Sequence, residues 1–270
     1  VPAIAHERNW NTTGYITRLS GSVHDLDEIG ERLEAAMEIV KSDRAARSRA
    51  IQWFEGRRFP ISGDLIQSFT ATQSPSELPA GMDTMGRNVA IFVSSEDEFV
   101  SFAEWRHKFG DTQEGTIRSL ATHPDLDPDI TMWVRIHPNL RGLDNAQTDR
   151  LRELTEDAPP NIRVIDADST VDTYSLIDAS ELVITFGSTV GAESIYWGRP
   201  SLLLGRAAYE RIDAVAIPAS LTGAVGIINA GLPPPDPQDV LGFGALMTET
   251  GHQFRHYRPP APGGSDSFKG

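Results

Sequence analysis

A histidine-proline pair closes one apolar run, and a serine-threonine pair held between glycines closes another. The first is Arg135-Ile136-His137-Pro138-Asn139, after residues 130–134; the second is Gly187-Ser188-Thr189-Val190-Gly191, after residues 182–186. Each puts small or charged polar groups just past a predicted strand, the edge of a parallel sheet where ligands bind. An imidazole there, as a cation or as a neutral N–H donor, holds a phosphate and stabilises charge on a leaving group. Pro138 pushes His137 into extended backbone, so that it projects from the strand end. Gly187 and Gly191 let the backbone approach a ligand closely. Two hydroxyls add donors, and the helix expected over 192–197 turns its first N–H groups to the same anion. The plainer alternatives are a surface-loop histidine and an ordinary helix N-cap. His123-Pro124 repeats the dipeptide after a helical stretch instead of a strand, and is set aside as a decoy.

Further polar residues fall at the same edge. Arg135 and Pro138 flank His137 and are grouped with it on the phosphate side. Glu193 lies one turn into the helix after Ser188-Thr189, where it accepts ribose hydroxyls or simply favours the helix dipole. Ser94-Ser95-Glu96-Asp97-Glu98 follows the strand predicted over residues 89–93. Ser94 and Ser95 are candidates to touch the ligand, while the acids also suit a helix start. Asp166-Ala167-Asp168-Ser169-Thr170 follows another strand, which places Ser169 near a base or sugar; Asp/Ser turn chemistry explains that segment equally well. Glu7, between His6 and Arg8, is a general-base candidate where a second half-site faces it.

These groups need a scaffold. Strands predicted over 89–93, 132–136, 162–165, 182–186 and 201–204 alternate with helices over 99–122, 145–154, 173–179 and 190–197, and residues 226–229 are expected to add an edge strand. That order predicts an α/β fold, a Rossmann-like parallel sheet with helices on both faces. Ahead of it, residues 22–59 read as one long helix, because Leu26, Ile29, Leu33, Met37 and Val40 recur at three- and four-residue steps. Asp25 with Glu28 resembles a capping box. Arg44, Arg47, Arg49, Arg57 and Arg58 read as the solvated face of that helix. Residues 74–86, with Pro75, Pro79 and Gly81, form a turn-rich link. The expected division is 1–80, then 81–258 as the α/β domain, then a flexible Pro/Gly/Ser-rich tail over 259–270.

The 270 residues carry a formal charge of −14, which argues against broad nucleic-acid binding. A nucleotide is not excluded, since a pocket needs only a few local donors. Cysteine is absent, which rules out disulfides and thiolate metal sites and fits a reducing compartment. No apolar run approaches a membrane span. Residues 1–7 read as a strand and not a signal peptide. The chain opens on Val1 instead of Met, which leads us to expect a longer natural protein.

Taken together, these residues resemble bacterial capsular-polysaccharide glycosyltransferases of the GT-B type, a group that includes Kdo- and sialic-acid-type transferases with CMP-sugar donors. Their C-terminal half carries a His-Pro motif and a later Ser/Thr motif, both facing the donor phosphate. His137-Pro138 and Ser188-Thr189 match in order and in position after strands. The text of residues 134–139 and 182–205 is also similar, including Ser188-Thr189-Val190-Gly191-Ala192-Glu193 and Gly198-Arg199-Pro200; the likeness spans residues 88–210. It implies the C-terminal, donor-binding half of a GT-B architecture, with residues 1–80 a remnant of the acceptor-side domain and its connecting helix. It implies a cytoplasmic enzyme that needs no cofactor or metal, takes a nucleotide-sugar, expected to be a CMP-sugar, and acts on a glycan or lipid-linked acceptor. Contact with the inner membrane face would then be peripheral. The family's general base lies in a motif of two acids and a glycine. His6-Glu7-Arg8-Asn9 stands in its place and lacks the second acid and the glycine; the resemblance gives Glu7 the base role and His137 that of stabilising the departing nucleotide. Other readings stay open: a CDP-glycerol-type glycerophosphotransferase, a nucleotide-sugar 2-epimerase, and a non-catalytic nucleotide-binding or interaction module.

Overall fold

In the computed structural model, residues 3–8, 14–19, 21–60, 70, 72–96, 102–106, 108–249, 251–255, 257–258 and 267–268 are described. The chain forms two units, Val1–Ala71 with Val240–Gly270, and Thr72–Asp239.

The first unit starts with two strands, β1 (Ile4–Arg8) and β2 (Gly14–Leu19), paired antiparallel. Helix α1 (Leu26–Ser42) begins where the Asp25 carboxylate accepts the N–H groups of Asp27 and Glu28. The single helix expected over 22–59 is in fact two. Asp43 ends α1 in extended backbone and caps α2 (Arg44–Arg58) by accepting from Ala45 and Ala46. An Asp side chain offers the backbone a local partner that competes with helix continuation, and the unbroken apolar period hid that stop. Arg44 and Arg49 are exposed and Arg47, Arg57 and Arg58 half-buried, with the Arg57 guanidinium 5.6 Å over the Trp53 ring.

Helix α8 (Leu241–Met247) packs on α1 and α2. Trp53 and Phe243 meet edge to face at 5.6 Å. Gly244 permits the approach, because a Cβ there would stand 2.8 Å from the Ala50 carbonyl oxygen. Residues 240–258, expected with the α/β domain, belong instead to the first unit. Strand β9 (His252–Gln253) adds to β2. Of the tail expected over 259–270, only Ser267 and Phe268 are described, paired antiparallel with Tyr257 and Arg258.

The second unit is built on six parallel strands, β3 (Arg87–Phe92), β4 (Ile130–Arg135), β5 (Ile162–Ile165), β6 (Leu182–Thr185), β7 (Ser201–Leu203) and β8 (Val215–Ala216). Their order is β5-β4-β3-β6-β7-β8. Side chains alternate between two apolar layers, as a strand's two-residue period requires. Val89, Ile91, Met132, Val134, Leu182 and Ile184 face one layer with Ile117, Leu120, Leu151, Leu154, Val225 and Ile228. Those partners lie on α3 (Gln113–Ala121), α4 (Ala146–Glu156) and α7 (Leu221–Ala230). Ala90, Phe92, Trp133 and Val183 face the other layer with Tyr174, Leu176, Ile177 and Val190, from α5 (Thr173–Asp178) and α6 (Val190–Tyr196). Full burial of each large aliphatic side chain contributes about 1.5–3 kcal/mol. Helices therefore cover both faces, as the βαβα order predicts.

Two element expectations differ. Within the helix expected over 99–122, residues 99–101 and 107 lie outside the described set, Ala103–Trp105 is a short 3₁₀ turn, and an α-helix follows Thr112, whose hydroxyl accepts from Gly115. Residues 226–229 are not a strand: Ser220 caps α7 and Gly231, at φ 69°, ends it. The edge strand is β8.

The N-terminal edge of the sheet is tied by charge. Arg87 donates to Glu181 at 2.7 Å, to Asp127 at 2.7 Å, and to the Asn229 carbonyl at 3.0 Å. Hydrogen bonds to charged groups contribute about 1.5–3 kcal/mol. We expect Arg87→Ala to lower stability by about 2 kcal/mol in a urea melt. An unchanged midpoint would show that this cluster is not holding the edge.

Candidate functional site

The strand order places a crevice by topology alone. The chain runs from β3 to β4 to β5 on one side, then returns to place β6 on the other side of β3. In open α/β sheets ligands bind outside the C-terminal strand ends at such a reversal. The turns after β3, β4, β5 and β6 carry Ser94-Ser95, His137-Pro138, Ser169 and Ser188-Thr189. The sequence-derived candidates of this unit thus share one sheet edge, with the β4 and β6 ends on either side of β3, about 10 Å apart by strand spacing.

Ser94 sits at the centre of that edge. Its N–H donates to Gln113 Oε1 at 2.9 Å, and its carbonyl accepts from Gln113 Nε2 at 3.0 Å and Gln147 Nε2 at 2.8 Å. Two helices therefore clamp the backbone of the turn, while the buried Ser94 Oγ has no partner among the described residues. Across the crevice, Gly187 adopts φ 144°. A Cβ at Gly187 would stand 2.7 Å from the Arg206 carbonyl oxygen and 3.7 Å from Ser94 Oγ. The glycine is required there by conformation and by space. Ser95 is buried.

Arg135 is the last residue of β4, in register with Phe92 and Ile165. It is 3% exposed. Its Nη2 donates to the Ser169 carbonyl at 3.1 Å, while Nε and Nη1 have no partner among the described residues. Burial pushes its guanidinium below the ordinary arginine range, with opposing pulls from Asp166 and Asp168; an arginine nevertheless remains a cation. Ser169 meets Arg135 through its backbone, and its hydroxyl accepts from the Val171 N–H at 3.3 Å, so the turn chemistry weighed for this segment is present.

His137 is extended, at φ −63° and ψ 133°, with Pro138 opening a 3₁₀ turn. Its Nδ1 accepts from the Asn139 N–H at 3.1 Å. A neutral imidazole with Nδ1 accepting carries its proton on Nε2. His123 makes the same local bond, to the Asp125 N–H at 3.2 Å, but precedes β4 and so lies at the opposite sheet edge. The His-Pro turn is thus a local conformation, and only its place in the fold separates the two.

In the second turn, the Thr189 hydroxyl donates to Glu193 Oε1 at 2.8 Å, and Tyr174 donates to Glu193 Oε2. Glu193 is 1% exposed. Its carboxylate orients Thr189 from within the protein. The N–H groups of residues 190–193 bond back to Ser188 and Thr189, so they are not the open donors expected of the helix start. Ser188 is half-buried. Behind it lie Thr185 and Tyr209.

Glu7 lies in the first unit, on β1, 2.5 Å from His24 Nε2. Around it is a small cleft lined also by Arg8, Arg32 and Glu249. Among the described residues no group of three or more His, Asp or Glu side chains is arranged to hold a metal ion.

Gln113, Gln147 and Tyr209 were not singled out from the sequence. Their roles arise from pairing with residues far along the chain, and their types carry no local signal.

Residues 104–212 match the family model described as "Capsule polysaccharide biosynthesis protein". A search of curated proteins found no match. Among solved structures, the KpsC beta Kdo 2,7 transferase of Thermosulfurimonas dismutans superposes at a TM-score of 0.50 and 16% identity, covering 89% of this chain and 67% of that one. The KpsC beta Kdo 2,4 transferase of the same organism gives 0.49 and 13%, covering 91% and 72%. At such identities the likeness is one of fold. Residues 104–212 are thus similar to a capsule polysaccharide biosynthesis family, and the chain has a GT-B-like fold. The resemblance carried by the two turns is borne out at that level.

Proposed function

We propose that this chain binds a nucleotide-activated sugar at the C-terminal sheet edge and transfers the sugar to a surface-glycan acceptor. One observation carries the reading. Arg135 is a buried cation with two unpartnered nitrogens and no ion-pair partner among the described residues, at the edge that also bears His137, Ser94 and Ser188. A buried charge that is only partly compensated is unfavourable by several kcal/mol, and an anionic ligand at that edge offsets the cost.

The expected donor is a CMP-sugar, with its phosphate between the His137 and Ser188 turns. As the acceptor oxygen bonds to the anomeric carbon, the bond from that carbon to the phosphate oxygen breaks and its electron pair passes to the phosphate oxygen. The Nε2–H of His137, the Ser188 hydroxyl and the field of Arg135 stabilise that charge. With those donors the departure of the nucleotide needs no metal. The acceptor's proton goes to a carboxylate, for which the resemblance offers Glu7. A lipid-linked acceptor would place the reaction at the cytoplasmic face of the membrane; among the described residues no helix is long and apolar enough to cross one. Calorimetric titration with CMP, CDP and UDP tests the reading. Saturable binding of CMP is expected, and no heat from any of the three would overturn it.

A further inference from the structure

Behind the Ser188 turn, the hydrogen bonds have a fixed direction. Tyr209 is 1% exposed. Its Oη lies 2.7 Å from the Ser188 carbonyl oxygen and 2.8 Å from Thr185 Oγ1. A carbonyl only accepts, so the phenol proton points to Ser188, and Thr185 must donate to the phenol oxygen. The polarity runs Thr185 to Tyr209 to Ser188. Burial pushes the phenol well above its ordinary range, so it remains a donor throughout the physiological range.

Two glycines make room for this arrangement. A Cβ on Gly191 would overlap the phenol oxygen and stand 2.9 Å from Thr185 Oγ1. Gly187 accepts the Arg206 carbonyl at a place where a Cβ would not fit. Arg206 is in turn held by Glu210 through two bonds of 2.8 and 2.6 Å, and Glu210 also accepts from the Ala207 N–H at 3.2 Å. Residues 206–210 thus press on the turn at both of its glycines.

We propose that Tyr209 is a positioning residue for the Ser188 turn, holding the Ser188–Thr189 peptide so that the Ser188 hydroxyl and the Thr189 N–H face away from it toward the ligand edge. The C=O and N–H of a trans peptide point in opposite directions. Fixing the carbonyl on the buried phenol therefore fixes the N–H outward. The same carbonyl also accepts from the Gly191 N–H at 3.1 Å, so the phenol is the second of two donors that set the direction of this peptide. The consequence for binding rests on the nucleotide reading given above; the consequence for the peptide does not.

The test compares Tyr209→Phe with the wild-type 270-residue chain. Phe keeps the ring and removes only the oxygen. CMP affinity is expected to fall about tenfold, the effect of losing one well-placed hydrogen bond and its geometry. Arg87→Ala, weakened at the opposite edge, should bind CMP within about twofold of wild type, which separates positioning from general stability. Equal CMP affinity in Tyr209→Phe and wild type would overturn the proposal. If Tyr209→Phe does not fold, Thr185→Val replaces it, with a loss of about threefold expected and unchanged affinity counting against us. If wild type binds none of CMP, CDP and UDP, the functional reading fails by itself. The backbone amide of Thr189, followed by ¹H–¹⁵N NMR without ligand, then decides: a shifted, faster-exchanging Thr189 amide in the variant supports positioning, and an unmoved one refutes it.

Discussion

Arg135→Met is expected to weaken nucleotide binding about a hundredfold while leaving the protein as stable as before, or more so. The two effects have opposite signs for one reason. Arg135 is 3% exposed, and among the described residues its one hydrogen bond is to a backbone carbonyl. Without ligand, its charge is desolvated and poorly compensated, so an apolar side chain of similar length costs nothing to bury. Replacing buried ionic groups by well-packed apolar ones is neutral or stabilising by about 1–4 kcal/mol. With an anion at the edge, the same charge acts through a low-dielectric medium, and its loss removes about 2–5 kcal/mol of interaction. Urea melts and CMP titrations on the same preparation check both signs. A destabilised variant with unchanged affinity would mean that Arg135 is structural.

Gly187→Ala is expected to damage both properties. The residue lies at φ 144°, a region that side-chain-bearing residues enter at a cost of about 1–3 kcal/mol. A Cβ there would also stand 2.7 Å from the Arg206 carbonyl, and backbone cannot swing aside as a flexible side chain does. We expect a stability loss of about 3 kcal/mol. The Ser188 turn must shift away from Arg206, and CMP affinity should fall at least tenfold with it. Gly142 makes the contrast. It has φ 71° but nothing within 4 Å of a would-be Cβ, so alanine there brings backbone strain alone and leaves CMP affinity intact. Denaturant melts and titrations of the two variants, side by side, read the difference.

Much of this was legible from residue order. The strands over 162–165 and 182–186 stood out because apolar residues run unbroken between turn signals, the mark of a sheet covered on both faces. His137 and Ser188 stood out because they follow such runs. The break at Asp43 was not seen, because the apolar stripe continues past a residue whose side chain caps the next helix. The run over 226–229 was misread because Gly226-Ile227-Ile228-Asn229 is too short to fix a period; Ser220 and Gly231, the caps on either side, were the better signal. Glu193 was correctly placed in the helix after Ser188-Thr189. What its type could not disclose is that Thr189 and Tyr174 surround its carboxylate. Arg135 looked like any basic residue beside a histidine; its burial, with two nitrogens lacking a hydrogen-bond partner among the described residues, is a property of the folded interior. The clamp of Gln113 and Gln147 on Ser94 joins residues far apart in the chain, which no local pattern reports.

The most direct test of the account is a crystal structure of this chain grown with CMP. The nucleotide phosphate should lie at the C-terminal ends of β3, β4 and β6, within hydrogen-bond reach of Ser188 and His137 and over the guanidinium of Arg135. A phosphate found instead at the edge of Arg87 and His123, or against the first unit with the turns at Ser94 and Gly187 empty, would contradict it.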